Sequence, residues 1–295
     1  MRFETIYRCL TLTGFFLASF GIGDSLATAD DGIQLRYRFE EGQIVRYRVV
    51  LNDDYRIHVG ETTEEPYSHQ SSTKSYRVKS VNPDGSAVLE LKIEEIQLEI
   101  LQNGEKLSFD SRSAKDKDRP PVFLALEGLI GEPHLQLTIS PRGEISDYKP
   151  LVAKDQVPND PASAAFDVLV ALPEKAVTVG ESWKEDFTAN IMIPPGLKKP
   201  VRMQRTYMLK SYEQNRAEIE IKTRVLTVLD DAEEEMQLLR RRPHGTVIID
   251  TARGLLVSKK LSQDNEVTGF NMGASVIRFQ QKQDEVLVET KSAEK

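Results

Sequence analysis

The chain has 295 residues, with 39 Lys and Arg against 46 Asp and Glu, giving a formal charge of −7. That balance excludes the strongly basic profile by which proteins hold nucleic acid through phosphate neutralisation. One cysteine and four histidines exclude a disulfide scaffold or a zinc ribbon. A charged fraction of 29% and a mean hydropathy of −0.41 exclude a polytopic membrane protein.

Residues 1–29 read as a secretory signal. Arg2 and Arg8 precede an apolar run from Cys9 to Ile22, too short for a transmembrane helix of about 20 residues. Ala27-Thr28-Ala29 then supplies the small-x-small pattern of a cleavage site. Cleavage there removes Cys9 and leaves a soluble mature chain with no transmembrane anchor, placed in an extracytoplasmic compartment, periplasmic or secreted.

After Gly32 the pattern turns to β. Leu35, Tyr37 and Phe39 share one face of a first strand, and Val45, Tyr47 and Val49 share one face of a second. In the run SAVLELKIEEIQLEI, Leu89, Leu91 and Ile93 hold odd positions and Ile96, Leu98 and Ile100 even ones. Alternation of period two changes phase only through an extra residue, so a β-bulge is expected at Glu94-Glu95. Asn103-Gly104, Asn82-Pro83-Asp84-Gly85 and Ser140-Pro141-Arg142-Gly143 read as tight turns. Helix is expected at residues 161–172, with Asp160 as N-cap and Pro161 at the first helical position. The apolar stretch 121–130, PVFLALEGLI, is a second short helix or a buried strand.

The most informative feature is an internal repeat. Tyr76, Lys79 and Ser80 correspond to Tyr207, Lys210 and Ser211. Removing one turn residue then aligns Ala87, Leu89, Leu91 and Lys92 with Ala217, Ile219, Ile221 and Lys222. Pro133-His134 answers Pro243-His244, Arg142-Gly143 answers Arg253-Gly254, and Glu41-Gly42 answers Val179-Gly180. In each half the apolar members of the paired strands face the core, and Glu90, Lys92, Glu220 and Lys222 are expected on the wetter face. The expected fold is mainly β: a long-stranded, curved antiparallel sheet built from two similar halves, with one or two short helices. Its organisation is a signal at 1–29, a first half at 30–150, a linker with helix at 151–173 and a second half at 174–295, sharing one core.

The opening LRYRFEEGQIVRYRV resembles that of uncharacterised exported bacterial β-rich proteins, in which a strand is followed by Glu-Gly and an Arg-Tyr strand. The resemblance implies an exported β-rich fold of unknown function and brings no catalytic positions with it. In architecture alone the chain is also similar to the half-barrels of periplasmic lipoprotein carriers.

No residues present themselves as catalytic, cofactor-binding or metal-binding. His58, His69, His134 and His244 form no pair at metal-ligand spacing, although the repeat makes the last two equivalent. Gly180-Glu181-Ser182-Trp183 lacks the second glycine of a nucleophile elbow. The acidic run 230–235 lacks calcium-loop spacing and reads as a solvated hairpin tip, balanced at the surface by Arg240-Arg241-Arg242. Trp183 reads as a core aromatic, and Tyr37, Tyr47 and Tyr55 as strand filling or the lining of a cleft.

Two functions fit a chain without catalytic residues or cofactors. The first is a binding or carrier protein, holding a lipid or other apolar or amphipathic ligand on the curved sheet, with 121–130 as lid or plug. The second is a non-catalytic structural or interaction module with an envelope protein partner. A contiguous apolar pocket on the concave face favours the first; a filled or polar interior favours the second. The signal reading predicts an intact mass starting at Asp30 when the protein is isolated from its source cell, and a mass retaining residues 1–29 rejects it.

Overall fold

The computed structural model describes residues 32–113, 123–152, 169–193, 196–270 and 274–291. The expected signal, and residues 160–168 of the expected helix, lie outside the described residues. The first half contains β1 (Ile44–Val59), β2 (Thr62–Glu64), β3 (Tyr67–Val81), β4 (Ala87–Gln102), β5 (Glu105–Asp110), β6 (Pro133–Ile139) and β7 (Ile145–Pro150). The second contains β8 (Ser182–Ile193), β9 (Leu197–Glu213), β10 (Arg216–Val225), β11 (His244–Asp250), β12 (Leu255–Thr268) and β13 (Ser275–Lys291). All belong to one curved antiparallel sheet, in the order β7-β6-β4-β3-β1-β13-β12-β11-β10-β9-β8, with β2 on β1 and β5 on β4.

The strand order repeats. The meander β1-β3-β4-β6-β7 corresponds to β8-β9-β10-β11-β12, and β13 stands between the two meanders without a counterpart. Equivalence extends to register. Tyr76 pairs with Leu91 and Val78 with Leu89; Tyr207 pairs with Ile221 and Leu209 with Ile219. Both pairings skip one residue at the same place, Lys79 in the first half and Lys210 in the second. The entry turns also agree: Gly42 N–H donates to Val78 O at 2.9 Å, and Gly180 N–H to Leu209 O at 2.8 Å. The expected phase change in β4 is a bulge at Glu94, where the pairing steps from Thr73–Glu95 to Lys74–Ile93. Asn103 and Gly104, both at positive φ, turn β4 into β5.

The inner face carries the main core, to which both halves contribute Tyr76, Leu89, Leu137, Tyr207, Ile219 and Val247. One end of this face is filled by residues 33–39. The sequence suggested a strand there; the structure instead gives Ile33 a single bridge to Val177. The alternation survives, since Leu35 and Tyr37 are buried. Backbone partners come from two equivalent turns: Tyr37 N–H donates to Pro141 O at 2.7 Å and Arg38 N–H to Gly254 O at 3.1 Å. Gly143 and Gly254 take positive φ at these turns. A Cβ on Gly143 would lie 2.5 Å from Val170 O, and one on Gly254 2.5 Å from Arg38 N, so no side chain fits at either position.

Residues 169–172, the end of the expected helix, are not helical. Their backbone is engaged elsewhere: Val170 with the Tyr37 hydroxyl, Leu172 N–H with Arg142 O, and Ala171 O with Trp183 Nε1. A helix would forfeit these bonds while burying the same apolar side chains. Within the 121–130 stretch, residues 121–122 lie outside the described residues; Leu124–Glu127 form the four-residue α1, and Phe123 stacks on Phe109 over the inner face of β4 and β5.

The acidic run is not a solvated hairpin tip. It forms α2 (Ala232–Gln237), capped by Asp231, which accepts from Glu234 N–H. Glu234 is buried and accepts from Lys199 Nζ at 2.7 Å, a partner 35 residues away in sequence. The Gln237 side chain both accepts from Met192 N–H and donates to Met192 O on the edge strand β8. Leu238 and Leu239, just beyond α2, pack on the inner faces of β8–β9 and β12–β13 respectively.

Of the four polar repeat positions, Lys222 is exposed, and Glu90, Lys92 and Glu220 are half-buried. Opposite Lys92, β6 carries an extra residue, His134, between Leu135 paired with Leu91 and Pro133 paired with Lys92. The equivalent burial of Leu91 and Ile221 predicts that replacing either by Ala costs about 2–5 kcal/mol in denaturant unfolding. Lys222→Ala should cost about 0.5 kcal/mol or less.

Candidate functional site

The inner face is filled at one end by residues 33–39 and 169–177 and covered at the other by α1, α2 and their flanking residues. A cavity of about 430 Å³ remains between them. Its walls come from β1, β3, β4, β6, β8, β9, β12 and β13 and from the loop after α2. The apolar part includes Val49, Leu51, Ile93, Phe187 and Leu261, and the polar part includes Gln70, Gln281 and Gln283.

Repeat-equivalent residues meet here. Lys74 and Arg205 stand two residues before Tyr76 and Tyr207, on β3 and β9, and both line the cavity. Val49 and Phe187 are likewise equivalent on β1 and β8, because Val45 and Trp183 both pair with the repeat tyrosines. Arg205 is 5% exposed, and its guanidinium lies 4.1 Å from the Phe187 ring centroid and 3.3 Å from Glu185. Stacking and ion pairing together fix a planar group that has no rotational freedom to spare.

Beside the cavity, Glu285 of β13 is fully buried between Lys74 Nζ at 2.8 Å and Lys259 Nζ at 3.1 Å. Burial disfavours ionisation of Glu285, but the two ammonium groups outweigh it and hold the carboxyl below its ordinary range. A second network positions the loop after α2. Buried Asp53 accepts from Arg240 and, at 2.7 Å, from Gln281 Nε2. Gln263 Nε2 donates to Gln281 Oε1 and to Arg240 O, while Gln263 Oε1 accepts from Arg242 N–H. Arg240 therefore does not balance the acidic run at the surface. Arg240 is tied to Asp53, and Arg240 and Arg241 line the cavity.

The histidines do not form a common site. His134 lines the cavity and its Nδ1 is buried without a hydrogen-bond partner, with burial lowering its pKa. His244 is exposed and lies 3.2 Å from Ser262 Oγ. His58 of β1 contacts Thr63 of β2, and His69 of β3 contacts Asp54 of β1. Trp183 is a packing residue, stacked on Tyr207 at 5.6 Å. Tyr37 and Tyr47 are buried, each hydrogen-bonded to a backbone carbonyl, and Tyr55 packs on Phe279. None of the three lines the cavity. Of the cavity's basic residues, Lys92, Arg240 and Arg241 were read as surface positions, and Lys74 and Arg205 escaped the sequence reading, although the repeat offset of Tyr76 and Tyr207 also pairs Lys74 with Arg205.

Residues 163–256, from ahead of β8 to the start of β12, match the model of a family described as a "Family of unknown function (DUF6263)". No curated protein matches the chain. Among solved structures, one similar chain comes from "Lipid-protein interactions in lipovitellin", at 12% identity and a TM-score of 0.47, covering 88% of this chain and 26% of that one. This chain thus spans about a quarter of the lipovitellin chain. Another is a DUF1329 family protein from Desulfovibrio piger ATCC 29098, at 9% identity and a TM-score of 0.14, with 85% of each chain covered. Among the described residues, no helix is long and apolar enough to cross a membrane.

Glu285→Gln leaves Lys74 and Lys259 facing a neutral group, and should destabilise the protein by about 3–5 kcal/mol at neutral pH. The depressed carboxyl contributes stability above its ordinary value of 4.5, and that contribution disappears as pH falls through the folded-state value. The gap between parent and variant in unfolding experiments should therefore narrow in acid; a gap independent of pH would reject the assignment.

Proposed function

We propose that the protein is a binding or carrier protein that holds an amphipathic ligand within its curved sheet, and that it has no catalytic role. The observation that carries this reading is the cavity on the inner face, walled by apolar side chains on one part and by amides and basic groups on another. Its volume of about 430 Å³ falls within the 300–1,000 Å³ typical of small-molecule sites.

The filled ends of the inner face support the same reading. Residues 33–39, α1 and α2 remove most of the sheet's apolar inner surface from water, so the remaining space is bounded. Residues 123–130 act in this reading as a fixed cover over β4 and β5. The ligand enters a preformed space and recovers the hydrophobic contribution of the wall it covers, at about 25 cal/mol per Å². Delivery outside the cytoplasm follows from the signal-like residues 1–29.

Native mass spectrometry of protein purified from its source without detergent tests the proposal. A retained small molecule with an apolar portion is expected. Leu51→Trp, which fills the apolar wall, should retain the cooperative unfolding transition and lose the adduct. Protein that carries no adduct, and takes up neither a long-chain fatty acid nor its methyl ester, would be inconsistent with a carrier.

A further inference from the structure

Among the described residues, every charged side chain lining the cavity is basic: Lys74, Lys92, Arg205, Arg240 and Arg241. This occurs in a chain whose formal charge is −7. The carboxylates nearby stand behind these groups. Glu285 holds Lys74, Glu185 holds Arg205 and Asp53 holds Arg240, and none of the three lines the space itself. A carboxylate behind a guanidinium orients it, and one carboxylate does not use all five of its N–H donors.

The basic groups come from three separate parts of the fold: β3–β4, β9, and the loop after α2. The loop is held by the Asp53–Gln281–Gln263 network, and Arg205 by its stack on Phe187, so at least two of the donors are positioned before any ligand arrives. His134 adds a buried ring nitrogen without a partner. Phe187 and Arg205 lie side by side, which places an apolar surface and an anion-binding group in direct contact.

We infer that the ligand is an anionic amphiphile, whose carboxylate or phosphate is taken by Arg205, Arg240, Arg241, Lys74 and Lys92 while its apolar part lies against Phe187, Leu51 and Leu261. This rests on the carrier reading and specifies the class of ligand. A neutral amphiphile brings no charge of opposite sign to the basic wall. A small inorganic anion leaves the apolar wall uncovered.

Binding of cis-parinaric acid, its methyl ester and inorganic phosphate to the full chain, followed by fluorescence and calorimetry, separates these cases. The acid should bind at least tenfold more tightly than the ester, and its affinity should fall with added salt. Arg241→Gln should weaken the acid at least tenfold and leave the ester unchanged. Lys92→Gln, on a different strand, should act in the same direction, so the test survives if one variant fails to fold. Equal affinity for acid and ester overturns the anionic inference and leaves the carrier reading standing. Binding of neither removes both. Tight binding of inorganic phosphate that survives Leu51→Trp overturns the amphiphile in favour of a free anion.

Discussion

The architecture depends on the placement of β13. The two halves repeat a five-stranded meander, and neither meander by itself provides a partner for β1 on its outer side. The last strand of the described chain fills that position. It pairs with β1 from Ile44–Lys291 to Val59–Ser275, and on its other side with β12. Both seams are long and antiparallel, and the first joins residues more than 200 positions apart. The common core draws Tyr76 and Leu89 from one half and Tyr207 and Ile219 from the other, and this strand stands between the two. Glu285, the one buried carboxylate that contacts both Lys74 and Lys259, is also on β13.

The seam also explains why the inner face is chemically uneven. Where the two halves meet, β13 presents Gln281, Gln283 and Glu285 inward between apolar residues at either end, Phe279 and Leu287. A polar band in the middle of a strand costs stability unless each group finds a partner. Here Gln281 is bonded to Asp53 and Gln263, and Glu285 is paired with two lysines. The band lies at the level of the cavity, and the segments 33–39 and α2 cover the apolar surface on either side of it.

Much of the fold was legible in the sequence because strand alternation is a local signal. The Glu94 bulge, the Asn103-Gly104 hairpin and the single-residue difference between the two β-turn regions are each written in a few consecutive residues. The segment 33–39 has the same alternation but does not join the ladder, because its partners are Pro141 and Gly254, far away in the chain. Helix α2 was hidden for a similar reason: its acidic residues look solvated until Lys199 is placed beside Glu234. The cavity was the least legible feature. Eight strands and a loop contribute a few residues each, and no single stretch contains more than a fragment of it. Lys74 and Arg205 are the exception, since the repeat pairs them at the spacing that pairs Tyr76 with Tyr207.

A tandem repeat arranged along a sheet has a further consequence for assembly. Its two halves are joined head to tail, and such an arrangement has no built-in closure: another meander could in principle be added at either edge, as in an open filament. The two edge strands of the described sheet differ. At one end, β7 is only six residues long and finishes in Lys149-Pro150, where proline offers no N–H to a new neighbour. At the other, Gln237 occupies both backbone groups of Met192 on β8, so a side chain takes the place that an incoming strand would need. A strand arriving at β8 would have to displace the amide of Gln237 from Met192, whereas one arriving at β7 meets a short strand that ends in proline.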